Sequence, residues 1–164
     1  MAIQFNIYEI FEIAEQIERN GAKFYRKAAN GKIDEESRKL LLDLAMMEDR
    51  HEETFASMRI EFQYNHGSDE IYDPENEAML YMRAFADDKV FNMNRDVSEM
   101  LTGDESTLDI LKTAIGLERD SIVFYLGIKD LVRKDVEIEE VESIIQEEKS
   151  HIILLSQRIE EMHS

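Results

Sequence analysis

Ile17-Glu18-Arg19-Asn20-Gly21-Ala22-Lys23-Phe24-Tyr25 and Leu117-Glu118-Arg119-Asp120-Ser121-Ile122-Val123-Phe124-Tyr125 are two versions of one pattern, 100 residues apart. Thirty residues after each glutamate stands a Glu-x-x-His, Glu48 with His51 and then Glu148 with His151. Glutamates, histidines and tyrosines all keep the same offset. Two single glutamates and two Glu-x-x-His pairs, each on its own helix, form the ligand set of a carboxylate-bridged two-metal site inside a four-helix bundle.

Four long helical patterns carry these motifs. The first runs from about Ile7 to Ala29 and stops at Asn30-Gly31, a C-terminal signal. The second starts near Asp34, an N-cap with Glu35 and Glu36 in the first turn, and continues to about Tyr64. The third follows Gly103, capped by Asp104 or Ser106, and ends near Val132. The fourth starts near Asp135 and reaches the last residues. Short links make the first and second, and the third and fourth, antiparallel pairs. Between the pairs lies an insert over about 65–103. There Asp73-Pro74 reads as an N-cap followed by proline at the first helical position. A short helix is predicted from about Glu75 to Phe91, and a second from Asp96 to Leu101. A 30-residue helix is ~45 Å long, and ~40 residues can span it. The expectation is a single all-α domain over 1–164, two helical hairpins joined by a long crossover.

At alternating spacings of three and four, each long helix shows one apolar seam. The seams read Ile7, Phe11, Ala14, Glu18, Gly21, Tyr25, Ala28; Leu41, Leu44, Glu48, His51, Phe55, Met58, Phe62; Leu108, Leu111, Ile115, Glu118, Ile122, Tyr125; and Val141, Ile144, Glu148, His151, Leu155. Carboxylates buried there without partners would cost several kcal/mol each. Two divalent cations would neutralise four of them. In a Glu-x-x-His the two side chains share one helix face and can reach one locus. Two-fold symmetry assigns Glu48 and Glu148 as bridges, with Glu18 and His51, and Glu118 and His151, as terminal ligands. Mixed carboxylate and imidazole ligation suits iron or manganese.

A lone Glu-x-x-His means little in so acidic a chain. Glu160-Glu161-Met162-His163 also matches and reads as a frayed helix end, and His66 reads as a solvated loop residue. Tyr25 and Tyr125 are either core residues with satisfied hydroxyls or direct partners of ligand carboxylates. Met46, Met47, Met79, Met82 and Met93 read as packing.

The 164 residues include 43% hydrophobic and 34% charged ones, enough for a full core under a highly charged surface. A net charge of −18 argues against nucleic acid and anionic membranes as partners. No cysteine is present, which excludes disulfides, thiolate catalysis and iron–sulfur clusters. The amino terminus lacks a basic region followed by an apolar run, and no apolar run approaches a membrane span. A cytoplasmic location is expected.

These residues together resemble the rubrerythrin family within the ferritin-like superfamily. The resemblance rests on Glu18 with Phe24-Tyr25, Glu48-x-x-His51, Glu118 with Phe124-Tyr125, and Glu148-x-x-His151, and covers the four long helices. It implies a ferritin-like four-helix bundle and a non-haem site of two iron ions, or manganese or mixed metals, that reacts with peroxide or dioxygen. Rubrerythrins proper carry a rubredoxin-like domain with four cysteines, absent here. They also place a glutamate three residues after the glutamate of the third helix, where this chain has Ser121. The ligand set is then more similar to that of bacterioferritin, with one histidine per iron. Electrons would come from an external rubredoxin-like or ferredoxin-like donor or from iron itself, and a homodimer or higher homo-oligomer is expected. Three functions remain open: a diiron oxidoreductase, an iron-binding or ferroxidase-type protein without sustained turnover, and a helical interaction module.

Overall fold

The computed structural model describes residues 7–66, 73–86, 97–132 and 134–164. Among these the regular structure is helical throughout: α1 (Ile7–Ala29), α2 (Glu35–His66), α3 (Glu77–Ala86), a 3-10 turn (Val97–Met100), α4 (Thr107–Leu131) and α5 (Asp135–His163). α1 pairs with α2 and α4 with α5, while α1 meets α4 and α2 meets α5 across the bundle. No helix among the described residues is long and apolar enough to cross a membrane.

The ends of the helices follow their capping chemistry. Asp34 caps α2, its carboxylate accepting from the Ser37 N–H at 2.8 Å. Of the two candidates for α4, Ser106 is the cap, accepting from Asp109 N at 3.1 Å. Arg158 then ties the far end of α5 to the start of α2, through Asp34 at 2.7 Å, Glu36 at 2.7 Å and the Ser37 hydroxyl at 2.9 Å.

The apolar core falls into two clusters. One holds Ile7 and Phe11 of α1, Phe55 and Phe62 of α2, Ile128 of α4 and Val141 of α5. The other holds Ala28 of α1, Leu41 and Leu44 of α2, Leu111 of α4 and Leu155 of α5. In every long helix the predicted ligand lies between the two. The antiparallel order of the helices therefore brings four mid-helix positions to one level. Met79 and Met82 of α3 belong to the first cluster and Leu101 to the second, so the crossover starts at one end of the bundle and finishes at the other.

Several expectations need correction. α3 begins at Glu77, not Glu75, because Pro74 sits in a turn and Asn76 adopts φ 57°. Asp73 still caps, but across that turn, accepting from Ala78 N at 3.2 Å and Met79 N at 2.9 Å. The predicted stretch 87–91, and Met93, lie outside the described residues. The second short helix is a 3-10 turn. α2 continues through His66, past the expected end at Tyr64; the His66 side chain lies outside the described residues. α5 stays helical to His163, where Glu160 and His163 are both exposed and not frayed out of the helix. Met46 is exposed rather than packed. On α4, Leu108, Ile115 and Ile122 are only half-buried. The inward stripe there is Leu111, Ala114, Glu118, Ser121 and Tyr125. Small side chains at 114 and 121 let α4 approach its neighbours, a role that a search for bulky apolar residues overlooks.

Gly127 sets where the crossover helix docks. A Cβ there would lie 2.2 Å from the Met82 sulfur and 2.9 Å from the Tyr81 ring. Tyr81 also donates to the Val123 carbonyl at 2.9 Å. The matching position on α1 is Lys27, so α1 lacks the glycine that makes this seat on α4. Gly127→Ala is expected to cost ~1–3 kcal/mol through overpacking. Amide hydrogen exchange should speed up in Glu77–Ala86 and stay unchanged in α1.

Candidate metal centre

All six predicted ligands meet at that level. Glu18, Glu48, His51, Glu118, Glu148 and His151 are each no more than 3% exposed. They form two overlapping groups, Glu18 with Glu48, His51 and Glu148, and Glu48 with Glu118, Glu148 and His151. Within each group the candidate ligand atoms lie within 4.8 Å of one another. Glu48 and Glu148 belong to both groups, as bridging positions require. Both histidines turn Nδ1 inward. His51 Nδ1 is 2.8 Å from Glu148 and 3.4 Å from Glu18. His151 Nδ1 is 3.3 Å from Glu48 and 3.4 Å from Glu118. The two imidazole rings stack, 5.6 Å between centroids and 17° apart.

The tyrosines are both buried and bonded, which joins the two alternatives. Tyr25 on α1 donates to Glu118 Oε1 on α4, and Tyr125 on α4 donates to Glu18 Oε1 on α1. Each terminal carboxylate thus has one oxygen held by a phenol of the opposite hairpin. Its other oxygen, Oε2 of Glu18 or of Glu118, is buried and has no hydrogen-bond partner. Burial, then the neighbouring carboxylates, hold both phenols well above their ordinary pKa, so they stay donors.

The residues present fit a pair of divalent cations. Among the described residues, every buried side-chain polar atom without a partner lies on these six residues. An unsatisfied buried polar group costs ~1–3 kcal/mol, and more if charged. Eight on six residues of one level mark a candidate coordination set, with both histidine Nδ1 atoms among them.

Two contributors were not singled out from the sequence. Gly21 leaves room for Glu48, since a Cβ there would lie 2.7 Å from Glu48 Oε2. The signal was its place one turn after Glu18, where α4 has Ser121. Glu147 lies 2.8 Å from His51 Nε2. It carried no signal beyond preceding Glu148. Ser121 donates to the Leu117 carbonyl of its own helix at 3.0 Å.

A crystal structure from Thermotoga maritima, provisionally described as a ferritin-like diiron-carboxylate protein, matches this chain with a TM-score of 0.71. The two share 26% identity over 94% of each chain. The fold is that of a ferritin-like bundle. No family model and no curated protein matches the chain. The ferritin-like likeness and the buried Glu/His cluster together support a dimetal site at this level.

Without metal the cluster is electrostatically costly. Burial, then repulsion from Glu18 and Glu118, raises the Glu48 pKa well above its ordinary value. Burial, then Glu118 and Glu48, does the same to Glu148. Burial pulls His51 down, but Glu18 and Glu147 outweigh it and the net shift is upward. Burial also pushes Glu118 up, but the neighbouring His151 and Glu148, with the hydrogen bond from Tyr25, outweigh it and lower the pKa. A raised pKa means the folded chain keeps protons that the unfolded chain releases, so stability falls as pH rises above the ordinary glutamate value. His51 acts in the same direction. Glu118 opposes it only below that value. Metal-free protein should therefore melt at lower temperature at about pH 8 than at about pH 5. Metal-loaded protein should show the reverse slope, because acid protonates ligands and releases metal. Melting curves with chelator and with excess manganese test this; parallel slopes would count against a metal centre. Gly21→Ala, which pushes Glu48 aside, should weaken manganese binding with little loss of helicity by circular dichroism.

Proposed function

We propose that this chain is a non-haem diiron carboxylate protein that reduces peroxide or dioxygen in a rubrerythrin-like manner, with electrons from an external donor. The observation that carries this reading is the pair of overlapping ligand groups sharing Glu48 and Glu148. Mixed carboxylate and imidazole donors favour iron or manganese. Bound iron would supply one electron from each ion to the oxidant. The chain's own residues do the rest. Glu48 and Glu148, common to both groups, would tie two bound metals into one unit. Tyr25 and Tyr125 each hold one oxygen of Glu118 and Glu18, which would leave the other oxygen of each to a metal. The apolar clusters on either side keep bulk water out. Because the chain has no cysteine-ligated centre of its own, sustained turnover needs a rubredoxin-like or ferredoxin-like partner.

Ser121 supports a second reading, an iron-binding or ferroxidase-type protein. Its hydroxyl is committed to Leu117 and adds no seventh ligand. Self-association, also part of the proposal, is supported by apolar side chains left exposed on α4 and α5, among them Leu126, Ile153 and Leu154.

Diferrous protein mixed anaerobically with one equivalent of peroxide should develop ferric absorption in the near ultraviolet. It should stop after a single turnover, and continue when a ferredoxin-type donor is supplied. Glu148→Ala should abolish the reaction and lose both metals by elemental analysis. A diferrous centre inert to peroxide, yet oxidised quickly by dioxygen while taking up more iron, would replace the oxidoreductase reading by the iron-handling one.

A further inference from the structure

The two histidines have unlike surroundings, although their helices repeat. His51 Nε2 stands 2.8 Å from Oε2 of Glu147, a half-exposed side chain on α5. An ionised carboxylate only accepts, so the proton of that bond lies on Nε2 and the metal-facing atom is Nδ1. His151 turns the same atom inward, but its Nε2 is buried and has no hydrogen-bond partner. The 100-residue repeat shows why. The position that matches Glu147 is Met47, and a thioether is a weak acceptor.

The difference has a consequence for ligation. A carboxylate on the outer nitrogen of a ligating histidine sets its tautomer, restrains its ring and raises its basicity. When His151 ligates through Nδ1, it must keep its proton on a buried nitrogen that nothing receives, which weakens the bond it can make. Resting on the dimetal reading above, we propose that Glu147 is a positioning residue that makes the two metal positions unequal. The position of Glu18 and His51 fills first and holds tightly; that of Glu118 and His151 is the exchangeable one.

Titration of the metal-free full chain with cobalt(II) alone, followed by calorimetry and visible spectra, tests this. The wild type should show two resolved binding events. Glu147→Ala should weaken the tighter event by about ten- to a hundredfold and leave the other unchanged. Glu147→Gln, whose amide oxygen accepts the same N–H, should recover part of the loss. Glu139→Gln, which removes a charge from an exposed position on α5, should change neither event. Met47→Glu should tighten the weaker event. In the cobalt-loaded protein, the hyperfine-shifted imidazole N–H proton of His51 should exchange slowly in the wild type and vanish in Glu147→Ala. Two identical wild-type events overturn the inference while leaving the dimetal reading intact, and so does a Glu147→Ala protein that weakens both events equally or neither. Uptake of fewer than two cobalt ions at saturation overturns the dimetal reading and this inference with it. Should Met47→Glu fail to fold, the Glu147 variants decide the matter.

Discussion

Four carboxylates buried at one level of an apolar bundle are the constraint around which the rest of this structure is arranged. Glu18, Glu48, Glu118 and Glu148 are nearly inaccessible to water, and the hydrogen bonds that reach them leave at least one oxygen free on each. Like charges so close would repel strongly at the low effective dielectric of a protein interior. The chain offsets part of this locally. Each terminal glutamate receives a phenol from the opposite hairpin, and burial with mutual repulsion raises the pKa of Glu48 and Glu148 well above the ordinary value. What remains uncompensated has the charge and geometry to be met by two divalent cations.

The apolar clusters serve this layer as much as they stabilise the fold. One lies on each side of it, built from the halves of the same four helices. Ligands carried mid-helix on packed helices are held more rigidly than ligands on loops. The tyrosines belong to both systems. Tyr125 packs against Phe55 with ring centroids 4.9 Å apart while its hydroxyl reaches Glu18.

The repeat is only approximate, and its breaks are informative. At the 100-residue offset Gly21 corresponds to Ser121, Lys27 to Gly127, and Met47 to Glu147. The first lets one bridging carboxylate lie close against α1. The second opens a seat for the crossover helix on α4. The third gives one histidine an outer partner that the other lacks. A symmetric ligand set thus sits within an asymmetric surrounding.

The sequence by itself determined the candidate ligands and the four long helices. These are local properties: a 3.6-residue period puts Glu48 and His51, or Glu148 and His151, on one face, and caps such as Asp34 and Ser106 act within a turn. The paired offsets also exposed the two-fold design, because a duplicated motif carries its partner's position with it. Only the tertiary structure decided what depends on groups distant in the chain. That Tyr25 bonds Glu118 and Tyr125 bonds Glu18, across 93 and 107 residues, has no periodic signature. Neither has Gly21, whose role is the space beside a side chain of another helix, nor Glu147, which looks like any surface acid until α2 brings His51 against it. The inward stripe of α4 and the late start of α3 belong here too. Both follow from how closely neighbouring helices approach and how a turn closes, and residue size and spacing along one chain do not encode either.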